Sequence, residues 1–419
     1  MEKEIKREIY LDRLIGRREN GMIKVITGMR RAGKSYLLNN LYSDYLAKDG
    51  VSDECIIKIP LDSFEYRSLR DTEALYKYIK EHLNEHRMNY VLIDEVQMVK
   101  DFEDVLNGIN ILPNTDIYVT GSNAKLLSTD IITEFRGRAD EIKVYPLSFA
   151  EYMSVREDTY SRSFDEFILY GSLPQILQRK DEEQKVNFLN NLLRETYIRD
   201  IKDRYHPTQE SDLTELLAIL ASSVGSLTNP TNLMNSFNSQ KGAKLSYNTI
   251  KTFIDYFLDS FLIERAKRYD IKGKKFVNTP SKYYFTDLGI RNSILNFSQM
   301  DFGHEMENVI YNELRIRGFN VDVGMVTVRK KIAEEKMVRS NYEVDFICHL
   351  GNRKYYLQSA YTLNDEAKIK QEESSLRNIS DSFKKIIITH DDMHIRRTES
   401  GITYMSVYDF LLNKNSLEL

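Results

Sequence analysis

Short unbroken apolar runs alternate with amphipathic ones from Met1 to about residue 150. MIKVIT (22–27), ECIIKIPL (54–61), NYVLIDE (89–95) and DIYVTGS (116–122) read as strands, and IKVYPL (142–147) as a further one. Between them SYLLNNLYSDYLAK (35–48), TEALYKYIKEHLNEH (72–86) and FEDVLNGINIL (102–112) carry helical spacing. Strands that are apolar throughout, rather than on alternate positions, predict a parallel sheet covered on both faces.

The pattern then changes. Residues 151–205 read as helices, with SFDEFILYGSLPQIL broken at Gly-Ser-Leu-Pro and VNFLNNLLRETYIRDI amphipathic. Residues 206–302 give three helical stretches, the last being SYNTIKTFIDYFLDSF with Ser246 as N-cap. FLIERAKRYD and KYYFTD follow as two strands around the basic turn IKGKK, which is the outline of a winged helix-turn-helix. Residues 303–419 read as a separate α/β unit: a helix closed by Gly318, strands VDVGMV, YEVDFICHL and KYYLQSAY, a polar helix, then KKIIITH. The expected division is therefore 1–150, 151–205, 206–302 and 303–419.

Chemistry enters between the first strand and the first helix. GMRRAGKS (28–35) fits G-x-x-x-x-G-K-[ST], a phosphate-binding loop. Backbone N–H groups of Gly28, Arg31, Ala32, Gly33, Lys34, Ser35 and Tyr36 would cradle phosphates at the positive end of the following helix. Lys34 would reach the β- and γ-phosphates of ATP, and Ser35 would ligate Mg²⁺. The strand NYVLIDE ends in Asp94, which would hold the Mg²⁺ shell, and Glu95, which would polarise the attacking water. A third strand ends in Thr120-Gly121-Ser122-Asn123, where a polar group would sense the γ-phosphate; Ser122 is the first choice and Asn123 the second.

Composition narrows the partners. Fifty-nine Lys and Arg against 63 Asp and Glu give a net charge of −4, so nucleic acid would have to be met by a local patch. Two cysteines in strand-like runs, no signal-peptide core and no apolar run approaching a membrane span point to a reducing, cytoplasmic setting with buried free thiols. His82 and His86, four apart on a helix, have zinc-compatible spacing, but the charges around them favour a solvated face.

The segments IYLDRLIGRRENGMIKVITGMRRAGKSYLL, VLIDEVQ, VTGSNAKLL, GRADEIKVYPLSFAEY, YGSLPQIL and PSKYYFTDLG, in that order, resemble a family of prokaryotic AAA-type ATPases with a C-terminal domain of unknown function. The resemblance covers almost the whole chain. It implies an α/β P-loop core, a helical and winged-helix middle, and a smaller tail of the restriction-endonuclease fold. It also implies an arginine finger at Gly137-Arg138, with Arg136 as the alternative, and hence a homo-oligomer. The Arg30-Arg31 pair is typical of the family.

Two regions bear on partners. Residues 206–300 carry eleven basic and eight acidic residues, so Lys272, Lys274 and Lys275 in the wing could meet double-stranded DNA. A lid or protein-docking role for the same module stands beside that reading. In the tail, a nuclease of this fold wants Asp, then Glu-x-Lys on the next strand. Asp345 is in place and Glu307 on the preceding helix could add a side chain, but Gln358-Ser359-Ala360 replaces Glu-x-Lys, which predicts a degenerate fold kept for binding or assembly.

Overall fold

The computed structural model describes residues 4–121, 135, 137–207, 210–241, 245–333 and 336–419. Ser122, Asn123 and Arg136 lie outside the described residues. The chain divides into two compact units. The first contains residues 1–146 with 173–175 and 259–261, and the second contains 147–172, 176–258 and 262–419.

In the first unit, strands β1 (Ile23–Thr27), β2 (Ile56–Pro60), β3 (Asn89–Asp94), β4 (Thr115–Thr120) and β5 (Ala139–Lys143) form one sheet in the order β2-β3-β4-β1-β5. All four pairings are parallel. β1 and β3 are buried along their whole length, as strands covered on both faces must be. Lys24 stands out in β1 as a fully buried cation, and it pairs with buried Asp116 on β4. Leu75 and Ile79 of helix Thr72–His82 and Val105, Leu106 and Ile109 of helix Phe102–Asn110 pack with β-strand residues in one cluster. Asp71 caps the first of these helices through the Ala74 N–H, a contact that typically contributes about 1 kcal/mol.

The order places β4 between β1 and β3, so the turns after all three open at one end of the sheet. Ligands of open parallel sheets gather at such carboxyl ends.

The second unit holds an eight-stranded mixed sheet built from β6 (Ile263–Asp270), β7 (Lys275–Phe285), β8 (Asn320–Ala333), β9 (Lys336–Leu350), β10 (Arg353–Ala360), β11 (Lys384–Thr389), β12 (Arg396–Arg397) and β13 (Ile402–Ser406). Its order is β12-β13-β11-β10-β9-β8-β6-β7. Helix Phe302–Ile316 packs Met306, Val309, Ile310 and Leu314 with Phe346, Leu357 and Ile386, whereas Leu376 of helix Glu366–Arg377 joins Val344, Ile347 and Ile387 in a separate cluster. Successive residues Phe346, Ile347 and Cys348 of β9 thus enter the two clusters in turn, as a sheet buried on both faces requires, and the register shift between Val344 and Ile347 puts Val344 with Ile347.

Three findings refine the sequence expectations here. The β6–β7 hairpin forms where the wing was expected, but β6 pairs in parallel with β8, so the sheet runs across the boundary placed at 302. Tyr152, Phe164 and Phe167 from the helical segment, and Phe149 from the end of the segment expected at 1–150, share a cluster with residues of that sheet. The β8–β9 hairpin is longer than VDVGMV and YEVDFICHL, and β13 with helix Val407–Leu412 was not anticipated. Ser246 caps helix Tyr247–Asp259 through the Thr249 N–H at 3.1 Å, as expected. Cys55 and Cys348 are free and buried. Among the described residues no helix is long and apolar enough to cross a membrane.

Candidate functional site

The phosphate loop leaves β1 through a turn that only glycine can make. Gly28 has φ 134°, and a Cβ there would lie 2.0 Å from the Val144 carbonyl oxygen on the chain beside it. Arg31 takes the left-handed conformation at φ 63° and Gly33 follows at 95°. A left-handed non-glycine residue is strained, and such strain gathers at ligand-binding turns. The helix that follows begins at Lys34 with no side-chain cap, passes through a π turn at Leu37–Tyr42, and continues to Lys48. Uncapped N–H groups at its start are the donors a phosphate needs.

Lys34 is 4% exposed, and its Nζ donates to the carbonyl oxygens of Gly28 and Met29, both at 2.9 Å. The side chain therefore bridges the loop it belongs to. Burial pushes its ammonium down to about 8, against the attraction of Glu95 and Asp94, and Arg30 lowers it further. Of the arginine pair, Arg30 is half-buried and adds its charge near the lysine, whereas the Arg31 side chain is exposed.

Asp94 at the end of β3 is almost fully buried and gathers three donors. Ser35 Oγ reaches Oδ1 at 3.1 Å, Thr120 Oγ also binds Oδ1, and Asn39 Nδ2 binds Oδ2 at 3.3 Å. Burial raises its carboxyl, and the Thr120 and Ser35 bonds oppose that. The hydroxyl of Ser35 beside a carboxylate is a pair of hard oxygen ligands, which suits Mg²⁺. Glu95 follows at φ 54°, its N–H donating to Thr120 Oγ at 3.0 Å and its carboxylate accepting from Gln97.

Thr120 and Asn39 were not singled out from sequence. Thr120, fully buried at the end of β4, ties the Asp94 side chain to the Glu95 backbone. Asn39 lies four residues after Ser35, the spacing that puts two helical side chains on one face, and this signal was available.

Arg138 is exposed and lies just before β5. Its carbonyl accepts from Ile23 N–H at 2.7 Å, at the start of β1, while the loop leaves the other end of β1. β1 and β5 run parallel from Ile23–Ala139 to Thr27–Lys143. At about 3.3 Å per residue, Arg138 stands roughly 15 Å from the level of the loop, beyond its own side chain's reach.

In the second unit, Lys272, Lys274 and Lys275 are all exposed around the β6–β7 turn. Glu307, Asp345 and Gln358 come together. Asp345 N–H donates to Gln358 Oε1 at 3.4 Å, and Glu307 and Asp345 share the ammonium of Lys282, at 2.8 and 3.3 Å. The sequence reading had no lysine here; β7 supplies one. His82 stacks on Tyr78 with ring centroids 4.1 Å apart, which leaves the pair with His86 as a surface feature.

Two measurements test Lys34. Lys34→Ala removes charge-assisted bonds to phosphate worth about 1.5–3 kcal/mol each, so ATP affinity measured by titration calorimetry falls about a hundredfold. Unchanged affinity would remove Lys34 from the site. The second is pH. Because the folded lysine titrates near 8, below its unfolded value, its ammonium costs stability at neutral pH, and the cost fades as pH rises above 8. Phosphate restores the charged form. ATP binding at pH 9 therefore takes up a proton and weakens with rising pH, which calorimetry in two buffers of different ionisation enthalpy reads directly.

Residues 20–153 match the AAA domain family, and residues 161–301 match a domain of unknown function (DUF8612). An uncharacterized protein of Haemophilus influenzae is 34% identical over 415 residues, covering 97% of this chain and 98% of its own. An uncharacterized protein of Methanocaldococcus jannaschii is 30% identical over 393 residues, covering 88% of this chain and 82% of its own. Among solved structures, the Walker-type ATPase of Pyrococcus abyssi shares the fold at a TM-score of 0.50 and 16% identity, covering 69% of this chain and 95% of that one. An AAA domain over the strands that build the phosphate loop, in a sequence alike from end to end, means that the chain belongs to the AAA-type P-loop family of these Haemophilus and Methanocaldococcus proteins.

Proposed function

We propose that the chain binds ATP with Mg²⁺ at the loop after β1, hydrolyses it, and couples nucleotide state to a conformational change in its C-terminal half. The observation that carries this reading is the convergence of Lys34, Ser35, Asp94 and Glu95 at one end of the sheet, with Ser35 hydrogen-bonded to Asp94 at 3.1 Å. Backbone N–H groups from Gly28 to Tyr36 bind the phosphates and Lys34 neutralises them. Ser35 and Asp94 would hold Mg²⁺, which supplies charge neutralisation at the β- and γ-phosphates. Thr120 holds Asp94 and Glu95 in register. Glu95 accepts a proton from the attacking water, whose oxygen bonds to the γ-phosphorus as ADP leaves. Ser122 remains the proposed γ-phosphate sensor beyond β4. Arg138 is proposed to complete the site of a neighbouring copy.

We read residues 206–302 as a winged helix-turn-helix and 303–419 as a nuclease-like domain that does not cleave. The cluster of exposed lysines at the β6–β7 turn supports contact with double-stranded DNA. Steady-state hydrolysis with and without duplex DNA tests the reading. ATP turnover raised by DNA supports it, turnover indifferent to DNA replaces DNA by a protein partner, and the lack of any turnover overturns it.

A further inference from the structure

Lys282 is 3% exposed, yet three carboxylates surround its ammonium: Glu343 at 2.7 Å, Glu307 at 2.8 Å and Asp345 at 3.3 Å. They come from β9 and from helix Phe302–Ile316, whereas Lys282 reaches in from β7, which is not adjacent to β9 in the sheet. Tyr284, two residues on and on the same face of β7, donates to Glu307 Oε1 at 2.6 Å. Asp345 Oδ2 accepts from Ser359 N–H at 2.9 Å. These carboxylates are therefore spoken for by an ammonium, a phenol and a backbone amide.

Buried carboxylates converging from a strand and a covering helix repel one another unless a cation lies among them. A divalent ion with hard oxygen ligands is one solution and a lysine is another. Despite its burial, the acids hold the Lys282 ammonium well above its usual range, so it stays charged.

We propose that Lys282 is the resident cation of this cluster, filling the place a divalent ion would take and closing it to metal. A permanently charged lysine tied to three acids is neither a base for water nor a replaceable ligand. The proposal rests on side chains of the second unit alone and is independent of the ATPase reading.

The test is Mn²⁺ binding to the full chain without nucleotide, followed by electron paramagnetic resonance of free Mn²⁺. Wild type and Asp345→Asn are expected to bind the same number of ions. A site present in wild type and lost in Asp345→Asn overturns the proposal, and this comparison needs no change at Lys282. Lys282→Ala is expected to gain one Mn²⁺ per chain, and the gain is expected to vanish in the double variant with Asp345→Asn. Lys282→Arg keeps the charge and is expected to gain none. A folded Lys282→Ala chain that gains no ion overturns the proposal.

Discussion

Glu95→Gln is expected to bind ATP with near wild-type affinity and to lower steady-state turnover by a factor on the order of 10²–10⁴, the usual contribution of a positioned general base. The amide keeps the size and the hydrogen bond to Gln97 but cannot take a proton. The backbone that sets its direction is untouched, because the Glu95 N–H to Thr120 bond does not involve the side chain. Thermal unfolding should therefore be unchanged, which separates a chemical loss from a folding loss. Turnover within about threefold of wild type would remove Glu95 as the base and shift attention to the residues following β4.

How far the sequence reveals this site depends on whether a signal is local. Lys34 and Ser35 sit in a contiguous motif whose spacing encodes the turn itself: the glycines at 28 and 33 are the positions with φ of 134° and 95°. Asp94 and Glu95 are visible because an apolar strand ends in acids. Thr120 is a different case. A threonine at a strand end is unremarkable until β4 is known to lie between β3 and β1, and sheet order is a long-range fact. The position of Arg138, level with the start of β1, is likewise set by the register of β5 and cannot be read along the chain.

The second unit shows the same limit more sharply. The hairpin of β6 and β7 is legible as alternating apolar runs around a basic turn. Its pairing with β8 is not, because the backbone groups that β6 offers on the side away from β7 carry no sequence label for their partner. A four-segment division follows from composition; one sheet across residue 302 follows only from the fold. Nothing along the chain marks Lys282, because its acidic partners lie 25 and 63 residues away. Gln358-Ser359-Ala360 stands where Glu-x-Lys would be, and a lysine enters the cluster from β7 instead.

Arg138→Ala should leave ATP binding intact and slow hydrolysis by a factor on the order of 10³–10⁵, the range of an arginine that stabilises charge on a transferring phosphoryl group. Arg138 lies at the end of β5 remote from its own loop, and its exposed side chain can meet a neighbour but not its own γ-phosphate. A head-to-tail assembly brings that end of one copy to the loop of the next. Co-assembling equal amounts of Arg138→Ala and Lys34→Ala then gives a distinctive outcome. The first variant supplies intact loops and the second supplies intact arginines. Random pairing leaves half the chains with a working loop, and half of those beside a working arginine, so about a quarter of the wild-type rate returns. Neither variant alone reaches it. Recovery near that level supports a shared site and makes oligomerisation a condition of turnover. Failure of mixed assemblies to recover, in samples shown to contain both chains, would leave Arg138 as a surface residue and place the ATPase within a single copy.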